Sequence, residues 1–157
     1  MTLFLECKPD ETLAVVLGVP RRTIVHSHSK GRVSRNLKMH TGVTGMVDED
    51  FGSAEPATLA GFKEISTNHD VRLKINEAQN NRLVVICPRL EPWLIKTAKA
   101  AGLNMGDKKF NLSENVQELD SMINYRLQNI ERLLDDLLKL KSQRLLHLKA
   151  LLSGKTE

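Results

Sequence analysis

The chain has 157 residues, of which 41% are hydrophobic and 27% charged, the profile of one globular domain that buries a core without disulfide or metal staples. Its 23 Lys and Arg against 19 Asp and Glu leave a net charge of +4, a mild basic lean that suits a polyanionic partner without demanding one. Scarce aromatics argue against a binder that stacks many bases on aromatic platforms, and Cys7 and Cys87 alone exclude a disulfide framework or a zinc finger.

Residues 2–5 are apolar and end at Glu6, the pattern of a short buried strand. Pro9-Asp10-Glu11 opens a helix whose apolar face is Leu13, Val16 and Leu17, with Gly18 at its end. A second strand over 22–25 runs into the polar turn Ser27-His28-Ser29-Lys30-Gly31, and a helix through Val33, Leu37 and Met39 follows. The third strand, 41–47, leads directly into Asp48-Glu49-Asp50. Strand and helix alternating in this way predict a parallel sheet with helical crossovers.

From 51 to 68 the pattern is weak and is read as loop with a short helical piece. Strands are predicted over 71–75 and 82–87, and a helix over 90–101, with Pro92 in its first turn and Gly102 after its end. Beyond 113 the character changes: Leu119, Ile123, Leu127, Ile130, Leu134, Leu137 and Leu138 recur at helical spacing, and Leu145, Leu148, Leu151 and Leu152 follow Ser142. That pattern predicts one long amphipathic helix, a break near Lys141-Ser142 and a short helix to Ser153. Its stripe packs on the sheet or forms a homodimer interface. No apolar run approaches the ~20 residues of a membrane span, and the first residues lack a basic leader, so the protein is expected to be cytoplasmic with no membrane partner.

The acids at the strand ends carry the chemistry. Glu6 closes the first strand, and Asp48 and Asp50 follow the third. Parallel strands point the same way, so these ends meet in the crevice where open α/β sheets hold ligands. Carboxylates crowded there repel unless a cation sits among them, and hard oxygen ligands select Mg²⁺ or Mn²⁺. Acids after strands also serve as helix caps and turn formers, which is the alternative. Asp10 is read as a cap. His26 and His28 are read as hydrogen-bonding turn residues, since no third ligand stands at zinc spacing. Trp93 is read as a half-buried helix anchor. Arg21, Arg22, Arg32, Arg35 and Lys38 cluster after the second strand, as a solvated basic face or a surface for a phosphate backbone.

Leu5-Glu6-Cys7-Lys8-Pro9-Asp10, then Ser29-Lys30-Gly31, then Val47-Asp48-Glu49-Asp50-Phe51-Gly52 resembles the Toprim domain, in particular the small Toprim domains of nucleases of the overcoming-lysogenisation-defect type. Pro88-Arg89-Leu90-Glu91-Pro92-Trp93-Leu94 resembles that group's acidic helix start. Cys7 stands where the group has Gly, and His26-Ser27-His28-Ser29 stands where it has glycines before the lysine. The resemblance implies a Toprim-like, Rossmann-like α/β domain over 1–110, with a helical extension over 113–153. It implies a Mg²⁺- or Mn²⁺-dependent nuclease acting on DNA or RNA. Asp48 and Asp50 would hold metal, Glu6 would be a ligand or general base, Glu91 would serve a second metal, and Lys8 and Lys30 would neutralise developing charge. Arg32, Arg35 and Lys38 would meet the nucleic acid. The chain has no phosphate-binding loop of the Gly-x-x-x-x-Gly-Lys-Ser/Thr type, so the ATPase that accompanies such nucleases would be a separate partner, in antiviral defence. A non-catalytic nucleic-acid-binding or regulatory subunit on the same fold is the rival.

Overall fold

The computed structural model describes residues 1–50 and 57–156. In chain order the strands are β1 (Leu3–Leu5), β2 (Ile24–His26), β3 (Thr44–Asp48), β4 (Lys63–Asn68), β5 (Val71–Asn76) and β6 (Asn81–Ile86). The helices are α1 (Lys8–Val16), α2 (Lys30–Met39), α3 (Leu90–Ala100), α4 (Val116–Met122), α5 (Leu127–Lys139) and α6 (Gln143–Leu152). The six strands form one sheet in the order β2-β1-β3-β6-β5-β4. β2, β1, β3 and β6 are parallel, and β5 and β4 complete the sheet as antiparallel hairpins. The α/β expectation is met, with a mixed and mostly parallel sheet flanked by helices.

Alternation along the strands divides the core. Leu3, Leu5, Met46, Val84 and Ile86 face one side and pack with Leu13 of α1, Leu94 of α3 and the leucines of α5 and α6. Phe4, Val47, Leu83 and Val85 face the other side, where α2 contributes Val33 and Leu37. Met39, predicted on that helix's apolar face, is 72% exposed. α2 lies close because β3 carries Gly45 beneath it: a Cβ there would sit 2.9 Å from Leu37 Cδ1 and 3.0 Å from Val33 Cγ1. Asn81, fully buried, ties the far end of α2 to the sheet, donating to the carbonyls of Leu37 (2.7 Å) and His40 (2.8 Å) and accepting from the Val43 N–H (3.0 Å).

Two expectations need correction. The stretch read as loop with a short helical piece does contain a short 3₁₀ turn, Ala57–Leu59, but it also contains the whole of β4; residues 51–56 of that stretch lie outside the described residues. β4 is a sheet edge, exposed along nearly its full length and bulged between Glu64 and Ser66, so it has no buried face to print an alternation. The long C-terminal helix is two helices, α4 and α5, joined by a 3₁₀ turn over Ile123–Tyr125 and a non-helical Arg126. Arg126 Nη1 donates to the Asn111 carbonyl (2.6 Å) and Asn129 Nδ2 to that of Phe110 (2.7 Å), which fixes a new axis for α5. The expected break at Lys141-Ser142 is present, and Ser142 caps α6 through its hydroxyl, which accepts from the Leu145 N–H.

The stripe of this segment is covered from within. Leu119, Ile123, Ile130, Leu134 and Leu137 are buried in the same cluster as Leu3, Leu5 and Met46. Phe110 and Leu112, at the expected boundary, belong to it as well.

The Gly45 contact sets a test. Gly45→Ala drives a methyl into two side chains of α2, and overpacking of this kind costs about 1–3 kcal/mol. The urea midpoint should fall accordingly. A midpoint equal to wild type would show that α2 can lift without loss.

Candidate functional site

The carboxyl ends of β1 and β3 are neighbours, with Leu5 paired to Met46, so Glu6 and Asp48 meet where the strands stop. Glu6 Oε2 accepts a hydrogen bond from the backbone N–H of Asp48 at 3.1 Å. The backbone N–H of Lys30, at the start of α2, also donates to Glu6. α1 turns in just after β1 and delivers Asp10, which is 3% exposed. Asp10 Oδ2 accepts from the Cys7 thiol at 3.2 Å, and the carboxylate accepts the Cys7 backbone N–H. The N-cap of α1 is Cys7, with no side-chain cap hydrogen bond, and Asp10 stands in the first turn, where its charge acts on Glu6 and Asp48. Sequence reasoning missed that role, although an acid in the first turn of a helix that starts two residues after Glu6 was its signal.

Asp50 has a left-handed backbone, φ 54°, and donates its N–H to the Pro88 carbonyl at 3.1 Å. That contact anchors the end of β3 to the turn that starts α3. Glu91, in the first turn of α3, is buried and acts electrostatically on Asp10 and Asp48. Its carboxyl also hydrogen-bonds Asp120 of α4, a residue that no motif or spacing places here.

Burial dominates the electrostatics. It pushes the Asp48 carboxyl up to about 9, with the charges of Asp10, Glu6, Glu91 and Asp50 adding to it. Burial pushes Asp10 up to about 7, helped by Glu6 and Glu91 and opposed by the Cys7 hydrogen bonds. Glu6 is raised by burial and by Asp50, and held back by the Asp48 N–H and by Lys30. Glu91 is raised by burial and by Asp120, with Arg89 opposing. The crevice therefore gathers more negative charge than its own cations offset.

Lys30 is at its rim: Nζ donates to the Glu49 carbonyl at 3.0 Å. Lys8 lies at the first position of α1 and is exposed. Glu49 turns away from its two aspartate neighbours and pairs with Arg72 of β5 at 2.8 Å. Arg32, Arg35 and Lys38 are exposed on α2 at three-residue spacing, one stripe of a helix that carries no acid. His26 Nε2 is bonded to Glu11, whose other oxygen takes Arg21 Nη1 at 2.7 Å. His26 is thus a hydrogen-bonding residue, as expected, but at the end of β2 and not in the turn. Trp93 is 1% exposed, a fully buried anchor where a half-buried one was expected, and Nε1 donates to the His69 carbonyl.

Among the described residues, no three His, Cys, Asp or Glu side chains stand in a ready-made metal-holding arrangement. The hydrogen bonds say why: Glu6 is turned to the Asp48 amide and Glu91 to Asp120. The donor set nevertheless fits a hard cation, being all carboxylate, partly or fully buried, with neighbouring acids raising Asp10 and Asp48. Among the described residues, no helix is long and apolar enough to cross a membrane.

The raised carboxyls fix a pH dependence. The folded chain holds these protons more tightly than the unfolded chain does. Their stabilising contribution is complete below about pH 4. It is lost as pH rises, through about 7 for Asp10 and about 9 for Asp48. The melting temperature in metal-free buffer should fall between about pH 6 and pH 9. Asp48→Asn should flatten that fall and raise the melting temperature at the alkaline end. A wild-type profile that is level over this range would show the carboxyls to be solvated.

No protein-family model matches the chain, and no curated protein or solved structure matches it either, so the chemistry of the crevice is argued from its own residues.

Proposed function

We propose that the protein is a Mg²⁺- or Mn²⁺-dependent nuclease of Toprim-like design that hydrolyses phosphodiester bonds of DNA or RNA. One observation carries this reading: Glu6, Asp10, Asp48, Asp50 and Glu91 are gathered at the carboxyl ends of parallel strands and at helix starts, with burial and mutual repulsion raising those of them that are buried. Asp48 and Asp50 would hold the metal, Glu91 would serve a second position, and Glu6 would complete the shell or act as the base. Bound there, a divalent ion supplies polarisation of the phosphoryl oxygen and a water of lowered pKa. As the base, Glu6, with its affinity for protons raised by burial, would take a proton from water at the site. Lys30, held over the rim by the Glu49 carbonyl, offsets charge that develops on the phosphoryl oxygens. The stripe of Arg32, Arg35 and Lys38 runs outward from Lys30 and suits a phosphate backbone. A separately encoded ATPase remains the partner that the family resemblance suggests.

The test is direct. Purified protein is incubated with plasmid DNA and with RNA in Mg²⁺, Mn²⁺ or EDTA. Cleavage should require metal, and Glu6→Gln should lower it about 10²–10⁴-fold, the usual cost of a positioned base, while the fold is retained. Lys30→Ala should cost less. Wild-type cleavage by Glu6→Gln would remove the catalytic assignment.

The engagement of Glu6 by the Asp48 amide and of Glu91 by Asp120 favours a second reading, a nucleic-acid-binding subunit whose acids no longer work as a metal shell. In either reading the α2 stripe carries affinity. Replacing Arg32, Arg35 and Lys38 by Ala should weaken binding uniformly across sequences and reduce the salt dependence of log K by about one per lost phosphate contact. An unchanged salt slope would place the nucleic acid elsewhere.

A further inference from the structure

A cleft of about 350 Å³ opens on the far side of Glu49. It shares a wall with the acidic crevice, because Glu49 stands between Asp48 and Asp50 and faces the cleft, while Lys30 grips its carbonyl. Pro88, Pro92 and the buried Trp93 supply its apolar lining. Arg72 and Thr67 line it from the β4–β5 hairpin, and Lys96 from α3.

The charges in this cleft are already matched. Arg72 pairs with Glu49 at 2.8 Å and Glu64 at 3.5 Å, and Lys96 pairs with Asp70 at 2.8 Å. It is therefore no trap for a bare anion. Flat apolar walls, a fixed planar guanidinium and neutralised polar edges suit a neutral planar ring with hydrogen-bonding edges. One polar atom of a lining residue is unsatisfied: Glu49 Oε1 is covered, with no hydrogen-bond partner among the described residues, so a ring meets it only by a turn of the Glu49 carboxylate. An acceptor left without a donor favours a ring that donates, as guanine does through its exocyclic amino group.

We propose that this cleft receives the unstacked base of the nucleotide flanking the cleaved bond, so that the substrate is single-stranded or locally opened nucleic acid. The proposal rests on the reading of the adjoining crevice as a phosphodiester site and deepens it. A duplex keeps its bases stacked inward and cannot fill a cleft of this size beside that crevice. The scarcity of aromatics is compatible with it, because one base is held here between prolines and a guanidinium, not many bases on aromatic faces.

Trp93 is the single tryptophan of the chain, so all tryptophan emission comes from a residue that lines the cleft. The Glu6→Gln protein is titrated with deoxyguanosine 5′-monophosphate and should show a saturable change in emission. Thr67 is exposed on the edge strand and lines the cleft, so Thr67→Phe should fill it from outside the core and weaken that binding about tenfold or more, on the scale of one lost base contact. The milder filler Thr67→Gln should act in the same direction, and both should melt as wild type does. In cleavage, a single-stranded oligonucleotide should be cut at least about tenfold faster than a blunt hairpin of the same sequence. No saturable emission change, binding untouched by both fillers, or duplex cut as fast as single strand would each overturn the proposal. Saturable binding by a wild-type protein that cuts nothing would overturn the hydrolytic reading alone and leave the cleft a nucleotide site.

Discussion

The hydrogen bond from the Asp48 backbone N–H to Glu6 Oε2 joins the ends of β1 and β3, and the rest of the site is arranged around the charge it brings together. A carboxylate at the end of a buried strand is costly unless it is paired or protonated. Glu6 takes two backbone donors, Asp10 takes the Cys7 amide and thiol, and Glu91 shares a hydrogen bond with Asp120. These three acids are relieved locally, by groups that carry no positive charge. Lys30 stays at the rim with its ammonium on a carbonyl. The crowding is a property of the topology, since only parallel strands with helices starting at their carboxyl ends bring these residues to one place.

Much of this was legible in the sequence. The alternation of strand and helix through residue 47 gave the parallel half of the sheet, and the acids after its strands marked the crevice. What was missed has physical causes. β4 is a bulged edge with solvent on both faces, so Lys63–Asn68 lacks the alternation by which strands are recognised. The interruption at Arg126 follows from side-chain bonds to the Asn111 and Phe110 carbonyls, contacts that no local propensity encodes. The position of Asp120 beside Glu91 depends on that same turn of the chain. Glu49 reads as one more acid in a run, yet its neighbours' side chains face the crevice while its own meets Arg72 from a strand that joins the sheet later. The Toprim resemblance rests on motif order and remains a proposal beside these contacts.

The C-terminal helices are part of the same body as the sheet. Ile130, Leu134 and Leu137 share a core with Leu3, Leu5 and Met46. A second link runs through the tip of the β4–β5 hairpin, where His69 and Asp70 both take positive φ. Trp93 holds the His69 carbonyl, while Lys96 of α3 and Arg144 of α6 both bind Asp70 Oδ2. These bonds keep the Asp70 carboxyl below its usual range. Arg144 is buried over the Trp93 ring and also bonds Thr97, so the hairpin, α3 and α6 are joined through one side chain. The strand that carries Arg72 to Glu49 is thereby held at a fixed distance from the crevice.

Protons and a cation compete for the same oxygens in this arrangement. The groups whose folded-state affinity for protons is highest, Asp48 and Asp10, are those whose charge a divalent ion would need. Raising the pH frees them for metal and at the same time weakens the metal-free fold, since repulsion replaces bound protons. A bound ion reverses that loss by mass action on the folded state. Stability without metal and readiness for metal therefore oppose each other across the neutral range. Such opposition is expected where carboxylates are buried together for chemistry; acids serving only as caps would be solvated and would show no such coupling.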